Sequence, residues 1–189
     1  MMKPLLACIG LVALTLPAWA ADTYTFDPEY TAASFEVDHL GFTTQRGRFN
    51  KAQGHAVLDL AAHQGAVEFS IETNSLDMGS KAWTVHVSSA GLFDVEHFPS
   101  ITFKSDNLQF DGNKVVGADG QLTLLGISKP LHVVVQDFSC GIHPLNKKAL
   151  CAGNISATLK RSDYGMVKYI PTVSDEIKIH VPVEAYRDK

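Results

Sequence analysis

The side chains with the most capacity for chemistry are eight histidines and three cysteines. The histidines are His39, His55, His63, His86, His97, His132, His143 and His180. A helical metal site needs two of them one turn apart, as in H-E-x-x-H, and zinc deaminases pair H-x-E with C-x-x-C. Neither spacing occurs. Each histidine stands alone on a strand or in a loop, where solvated or hydrogen-bonded imidazole is the default. A metal site assembled across strands is left open. No G-x-S-x-G sets a serine on a strained elbow, and no glycine-rich run cradles a phosphate or a dinucleotide. Asp94 and Glu96 lie two apart near a helix end, where they suit capping or a lysine partner, and no motif gives them acid–base work. Sixteen Lys+Arg against twenty Asp+Glu provide no basic excess for nucleic acid.

The positive feature is apolar. Phe35, Phe49, Phe69, Phe103, Phe110 and Phe138 fall on runs that alternate, and Trp83 and Phe93 on one that does not. Such residues either fill a core or line a ligand pocket.

The elements that carry them are strands. Apolar and polar residues alternate through Ala33–Val37, Val67–Ile71, Ile101–Phe103, Leu131–Val135, Ile155–Leu159 and Ile177–Val183. Leu122 and Leu124 follow Gly120, and Phe49–Leu60 is strand-like. Turn chemistry is expected at Asp111-Gly112-Asn113, Asp119-Gly120, Ser128-Lys129-Pro130 and Asp163-Tyr164-Gly165. Lys81–Asp94 differs: Trp83, His86 and Val87 fall at i, i+3 and i+4. Ser89 is placed to cap a second turn containing Leu92 and Phe93. Eight or nine strands with short connections and no βαβ rhythm make an antiparallel barrel or a two-sheet sandwich.

Residues 1–20 have one charge, Lys3, then twelve apolar or small residues from Leu5 to Leu16, then Pro17 and Ala18-Trp19-Ala20. That layout predicts a signal peptide cut before Ala21, discarding Cys8. As a helix the apolar run spans about 18 Å, against about 30 Å of hydrocarbon. No later run is long enough to cross a bilayer, so residues 21–189 are expected to form one exported domain, with a periplasm as the first choice of compartment. In such a compartment the remaining cysteines, Cys140 and Cys151, are expected to pair. Ten residues separate them, far from C-x-x-C spacing, which favours a structural bridge over a metal or redox pair.

Four groups of residues taken together resemble the YceI-like family of exported lipid- or polyisoprenoid-binding proteins. The first is Asp27, Ala33-Ser34-Phe35-Glu36-Val37-Asp38-His39-Leu40-Gly41 and Arg46-Gly47-Arg48-Phe49. The second is Asn74-Ser75-Leu76, Trp83, His86, Leu92-Phe93-Asp94-Val95 and Phe98-Pro99-Ser100-Ile101-Thr102-Phe103. The third is Gly120 to Pro130. The last is Lys160 to Met166 with Ser174-Asp175-Glu176-Ile177. Cys140 and Cys151 look like the cysteine-paired branch of that family. The resemblance implies a lipocalin-like, eight-stranded antiparallel β-barrel with one or two short helices at its mouth. It also implies a non-enzymatic carrier of a long-chain isoprenoid or similar amphiphile, needing no cofactor. Strand parity then assigns Phe35, Val37, Phe49, Phe103, Leu122, Leu124 and Val133 to the cavity. Trp83, Phe93 and Met166 join them, with His86, Arg161 and Tyr164 as a polar mouth.

Departures from the family pattern, Tyr30-Thr31, Thr84 and Ser88, point to a neutral quinone-like or fatty-amide head rather than a pyrophosphate. Two other readings remain: a lipid-modifying enzyme with His86 or His39 as general base, and a ligand-free stress-response or interaction module. A homodimer is left open.

Overall fold

Alternating runs give each strand one apolar face, and a sheet closed on itself buries all those faces without leaving an edge. A computed structural model describes residues 21–189. The expected signal peptide, with Cys8, lies outside them. The strands are β1 (Asp22–Phe26), β2 (Ala33–His39), β3 (Thr43–Phe49), β4 (Ala52–Asp59), β5 (Gln64–Glu72), β6 (Leu76–Asp77), β7 (Ser100–Asp111), β8 (Lys114–Leu124), β9 (Ile127–Ile142), β10 (Ala149–Lys160) and β11 (Val173–Arg187). One α-helix, α1 (Lys81–Ser88), precedes β7.

These eleven segments make eight barrel staves. β1 with β2, β3 with β4, and β5 with β6 are each one strand interrupted near mid-height. β4 pairs with β1 and β5, while β3 pairs with β2 and β6. The ring closes through β11, which pairs with β2 at Ile177↔Val37 and with β1 at Tyr24↔Arg187. Every pairing is antiparallel, so consecutive staves run up and down. The turn at 40–42, the helix-bearing segment 78–99, the turn at 125–126 and the loop 161–172 share one end, which is the mouth. The turns at 60–63, 112–113 and 143–148 share the other.

The expected hairpin at Asp111-Gly112-Asn113 is present, with Gly112 at φ 53°. Two expected turns are not. Asp119-Gly120 lies inside β8, and Ser128-Lys129-Pro130 lies inside β9. The β8–β9 turn is instead Leu125-Gly126, both at positive φ, which closes a two-residue hairpin. Pro130 stands opposite Gln121 in the ladder. A second departure is a bulge at Asp137, which has φ 55°. Strict alternation from Val133 and Val135 would carry the Asp137 carboxylate into the barrel. The extra residue swings it out to the Asn154 amide, 3.1 Å away, and turns Phe138 inward. The segment after α1 forms turns rather than a second helix. Ser89 donates its hydroxyl to the His86 carbonyl and so finishes α1 instead of capping a new turn.

Cys140 and Cys151 face each other across β9 and β10, with Cα atoms 4.0 Å apart, and form a disulfide. The bridge closes a short loop, and in the chain-entropy account it contributes about 2–3 kcal/mol. Thermal unfolding with and without reductant should therefore show a lower Tm in the reduced protein. An unchanged Tm would contradict the assignment.

Candidate functional site

The inward faces do not fill the barrel. They surround a cavity of about 500 Å³ that runs from α1 at the mouth down to Phe138 and Cys151 near the far end. Its wall is almost wholly apolar. Two glycines shape it. A Cβ at Gly47 would collide with the Phe35 ring, and one at Gly120 with the Phe103 ring and the Lys104 carbonyl. Each glycine lets a neighbouring phenylalanine lie flat along the wall.

At the mouth the structure folds over the lumen. Phe93 packs on Phe35 at 5.5 Å and edge-on to Phe49 at 5.2 Å between ring centroids. α1 spans the opening and buries none of its residues, as befits a helix lying on a rim. Trp83 reaches His39 on β2, 5.8 Å between rings. His86 reaches Tyr169 on the opposite loop, 5.7 Å away. Lys168 Nζ sits 5.1 Å from the centre of the Tyr169 ring.

No carboxylate lines the cavity among the described residues. Its charged side chains are Arg161 and Lys168, both cationic and both at the mouth. Arg161 is 3% exposed. Its Nε donates to the Ser174 carbonyl, Nη1 to the carbonyls of Met166 and Lys168, and Nη2 to that of Val173, all within 2.8–3.0 Å. Burial pushes its pKa down and the nearby Asp175 carboxylate opposes this. The guanidinium thus ties the 161–168 turn to the start of β11.

Asp175 reinforces the same junction by accepting from the Ser162 N–H at 2.8 Å and the Ser162 hydroxyl at 2.7 Å. These bonds hold its carboxyl below the usual carboxylate range. Because the folded pKa is depressed, the stabilisation is fully present above the unfolded value and is lost as pH falls through the folded one. Asp175→Asn should therefore destabilise the protein by about 1 kcal/mol at neutral pH and flatten the acid limb of a Tm-against-pH curve. An unaltered acid limb would contradict this.

The residues assigned by sequence fall as follows. Phe35, Val37, Phe49, Phe93, Phe103, Leu122, Leu124, Val133 and Met166 line the cavity, with Trp83, His86 and Arg161 at its mouth. Tyr164 does not: it is 2% exposed and packed in the core beside the Arg161 turn, so its place at a polar mouth is corrected. Sequence reasoning missed Tyr24 and Phe26 on the short β1, and Lys168 and Tyr169 on the mouth loop. β1 has alternation over only five residues, and the loop has none.

The departures from the family pattern point elsewhere than the lumen. Tyr30 is exposed, Thr31 is buried outside the cavity wall, Thr84 accepts from the Met78 N–H, and Ser88 does not reach the cavity. They supply no reason to prefer a neutral head. His97 pairs with Asp94 at 2.8 Å, which raises its pKa, and His132 pairs with Asp119 at 2.7 Å, which lowers that of Asp119. Neither pair reaches the cavity. His39 and His86 meet aromatic rings rather than a carboxylate that would orient a base. No group of three or more metal-ligating side chains occurs among the described residues, and no helix among them is long and apolar enough to cross a membrane.

The family model of the YceI-like domain matches residues 24–185. A UPF0312 protein of Vibrio cholerae is 31% identical over 186 residues, covering 95% of this chain and 97% of its own. Among solved structures, Burkholderia cenocepacia BcnA superposes with a TM-score of 0.69 at 23% identity, over 84% of this chain and 98% of its own. A polyisoprenoid binding domain from Saccharophagus degradans, implicated in plant cell wall breakdown, superposes with a TM-score of 0.63 at 15% identity, over 87% and 98%. At these identities the structural likeness concerns the fold.

Proposed function

Because the chain belongs to the YceI-like family, we propose that it is a non-enzymatic carrier that holds a long-chain isoprenoid or similar amphiphile inside the barrel. Residues 1–20 would direct its export, and the periplasm would be its place of work. The observation that carries this reading is the long apolar cavity, closed laterally by the sheet and opening under α1. A water-insoluble chain needs such a sleeve, since each methylene shielded from water is worth about 0.8 kcal/mol. The described polyisoprenoid-binding neighbour supports the same class of cargo.

The distribution of polar groups along the wall supports one orientation. The apolar tail runs toward Cys151, and the head lies at the mouth near His86, Arg161 and Lys168. With cations and no carboxylate among the described lining side chains, an acceptor-rich head fits, and an anionic head fits as well as a carbonyl.

Ala157 faces the lumen from β10, opposite Ile179. Ala157→Trp adds an indole where there is room for it. Uptake of a fluorescent long-chain prenyl probe should fall about tenfold or more, since losing contact with two methylenes already amounts to ~1.6 kcal/mol. Tm should hold. Undiminished uptake by a folded variant would count against the cavity as the binding site.

A further inference from the structure

The cavity mouth is surrounded by apolar side chains that are wholly or partly exposed. Leu40 and Phe42 stand on the β2–β3 turn, Trp83 and Val85 on α1, and Val167 and Tyr169 on the loop before β11. Phe42 is 89% exposed, Val85 64% and Val167 62%. Ordinary surfaces carry such residues singly; here three separate segments bring them to one end.

Charge follows the same boundary. The chain has twenty acidic residues and a net charge of −4, yet the stretches that carry these tips, residues 39–43, 78–93 and 164–173, contain no Asp or Glu; the acidic residues of this end, Asp94, Glu96 and Asp163, fall outside them. The charged residues within the stretches are Lys81 and Lys168, beside His39 and His86. Exposed aliphatics, a tryptophan and a tyrosine with lysines between them match the boundary layer of a bilayer with anionic head groups. They match a protein partner less well. The exposed apolar residues number six, on three short segments, against about 20–30 residues a side in a standard contact.

We propose that this rim docks on a lipid bilayer bearing anionic head groups, seating the cavity mouth directly on the membrane. Cargo then passes between bilayer and lumen without crossing water. The proposal rests on the carrier reading for its purpose, but its test is separable.

Residues 21–189, which hold every strand of the closed barrel, are sedimented with vesicles of phosphatidylethanolamine and phosphatidylglycerol in equal parts. The wild type should co-sediment, and F42D/V85D should bind about tenfold less or weaker. Neither residue lines the cavity. K81E should weaken binding to these vesicles and leave binding to phosphatidylcholine vesicles unchanged. In parallel, both proteins are given a fluorescent prenyl probe from ethanol without vesicles, and F42D/V85D should load it as the wild type does. Equal sedimentation of wild type and F42D/V85D overturns the docking proposal. So does a wild type that loads the probe and ignores vesicles, and the carrier reading then stands. A wild type that binds vesicles through the rim but never loads the probe supports docking and overturns the carrier reading. A rim-dependent dimer in sedimentation velocity, without vesicle binding, overturns docking in favour of a second copy of the chain.

Discussion

Arg161→Met is expected to lower the Tm by about 10 °C. Four main-chain carbonyls depend on this one guanidinium, and they belong to two segments, 166–168 and 173–174, that no strand pairing holds together. Methionine fills the space of the stem and donates nothing. Each buried acceptor left alone costs about 1–3 kcal/mol, although some regain water as the loop relaxes, so the net loss is about 3–4 kcal/mol. For a chain of this size each kcal/mol moves Tm by about 2–4 °C. Lysine should not rescue it, because a single ammonium cannot span acceptors arranged for a planar fork. Circular dichroism melts of the wild type, R161M and R161K decide the matter. A shift under about 2 °C in R161M would show that the junction holds without the arginine.

Phe103→Asp has the largest expected effect on cargo. Phe103 is buried against the lumen, opposite Phe69 on β5 and Leu122 on β8, with its ring over Gly120. An alkyl chain that enters the lumen cuts a carboxylate there off from water. Desolvating it without a partner costs several kcal/mol, so lipid retention should fall by about a hundredfold or more. Phe103→Asn, which carries no charge, should lose less. A folded F103D that retains lipid like the wild type would remove Phe103 from the binding surface.

The inner wall was legible because burial on one face leaves a period of two in the sequence. Phe103, Leu122, Leu124 and Val133 are inside for that reason. Legibility failed where the chain breaks its period. Asp137 sits in a bulge that reverses the parity of β9, and nothing local in Val135-Gln136-Asp137-Phe138 marks it. Pro130 reads as a turn residue, yet Leu125-Gly126 makes the turn. Glycine at 120 reads as a turn too, and it serves the ring of Phe103 on the neighbouring strand instead. The mouth was legible in part. The helical spacing of Trp83, His86 and Val87 placed one face of α1 over the lumen. Lys168 and Tyr169 left no trace, because a loop carries no period. Arg161 lies at the mouth, but its partners are main-chain carbonyls, and backbone acceptors have no signature in side-chain type.

The most direct test is to purify the protein gently from the cells that produce it, extract it with organic solvent and analyse the extract by mass spectrometry. The carrier account predicts a long-chain isoprenoid or related lipid in stoichiometric amount. An empty protein that also fails to take up quinones, prenyl phosphates or fatty amides would contradict it.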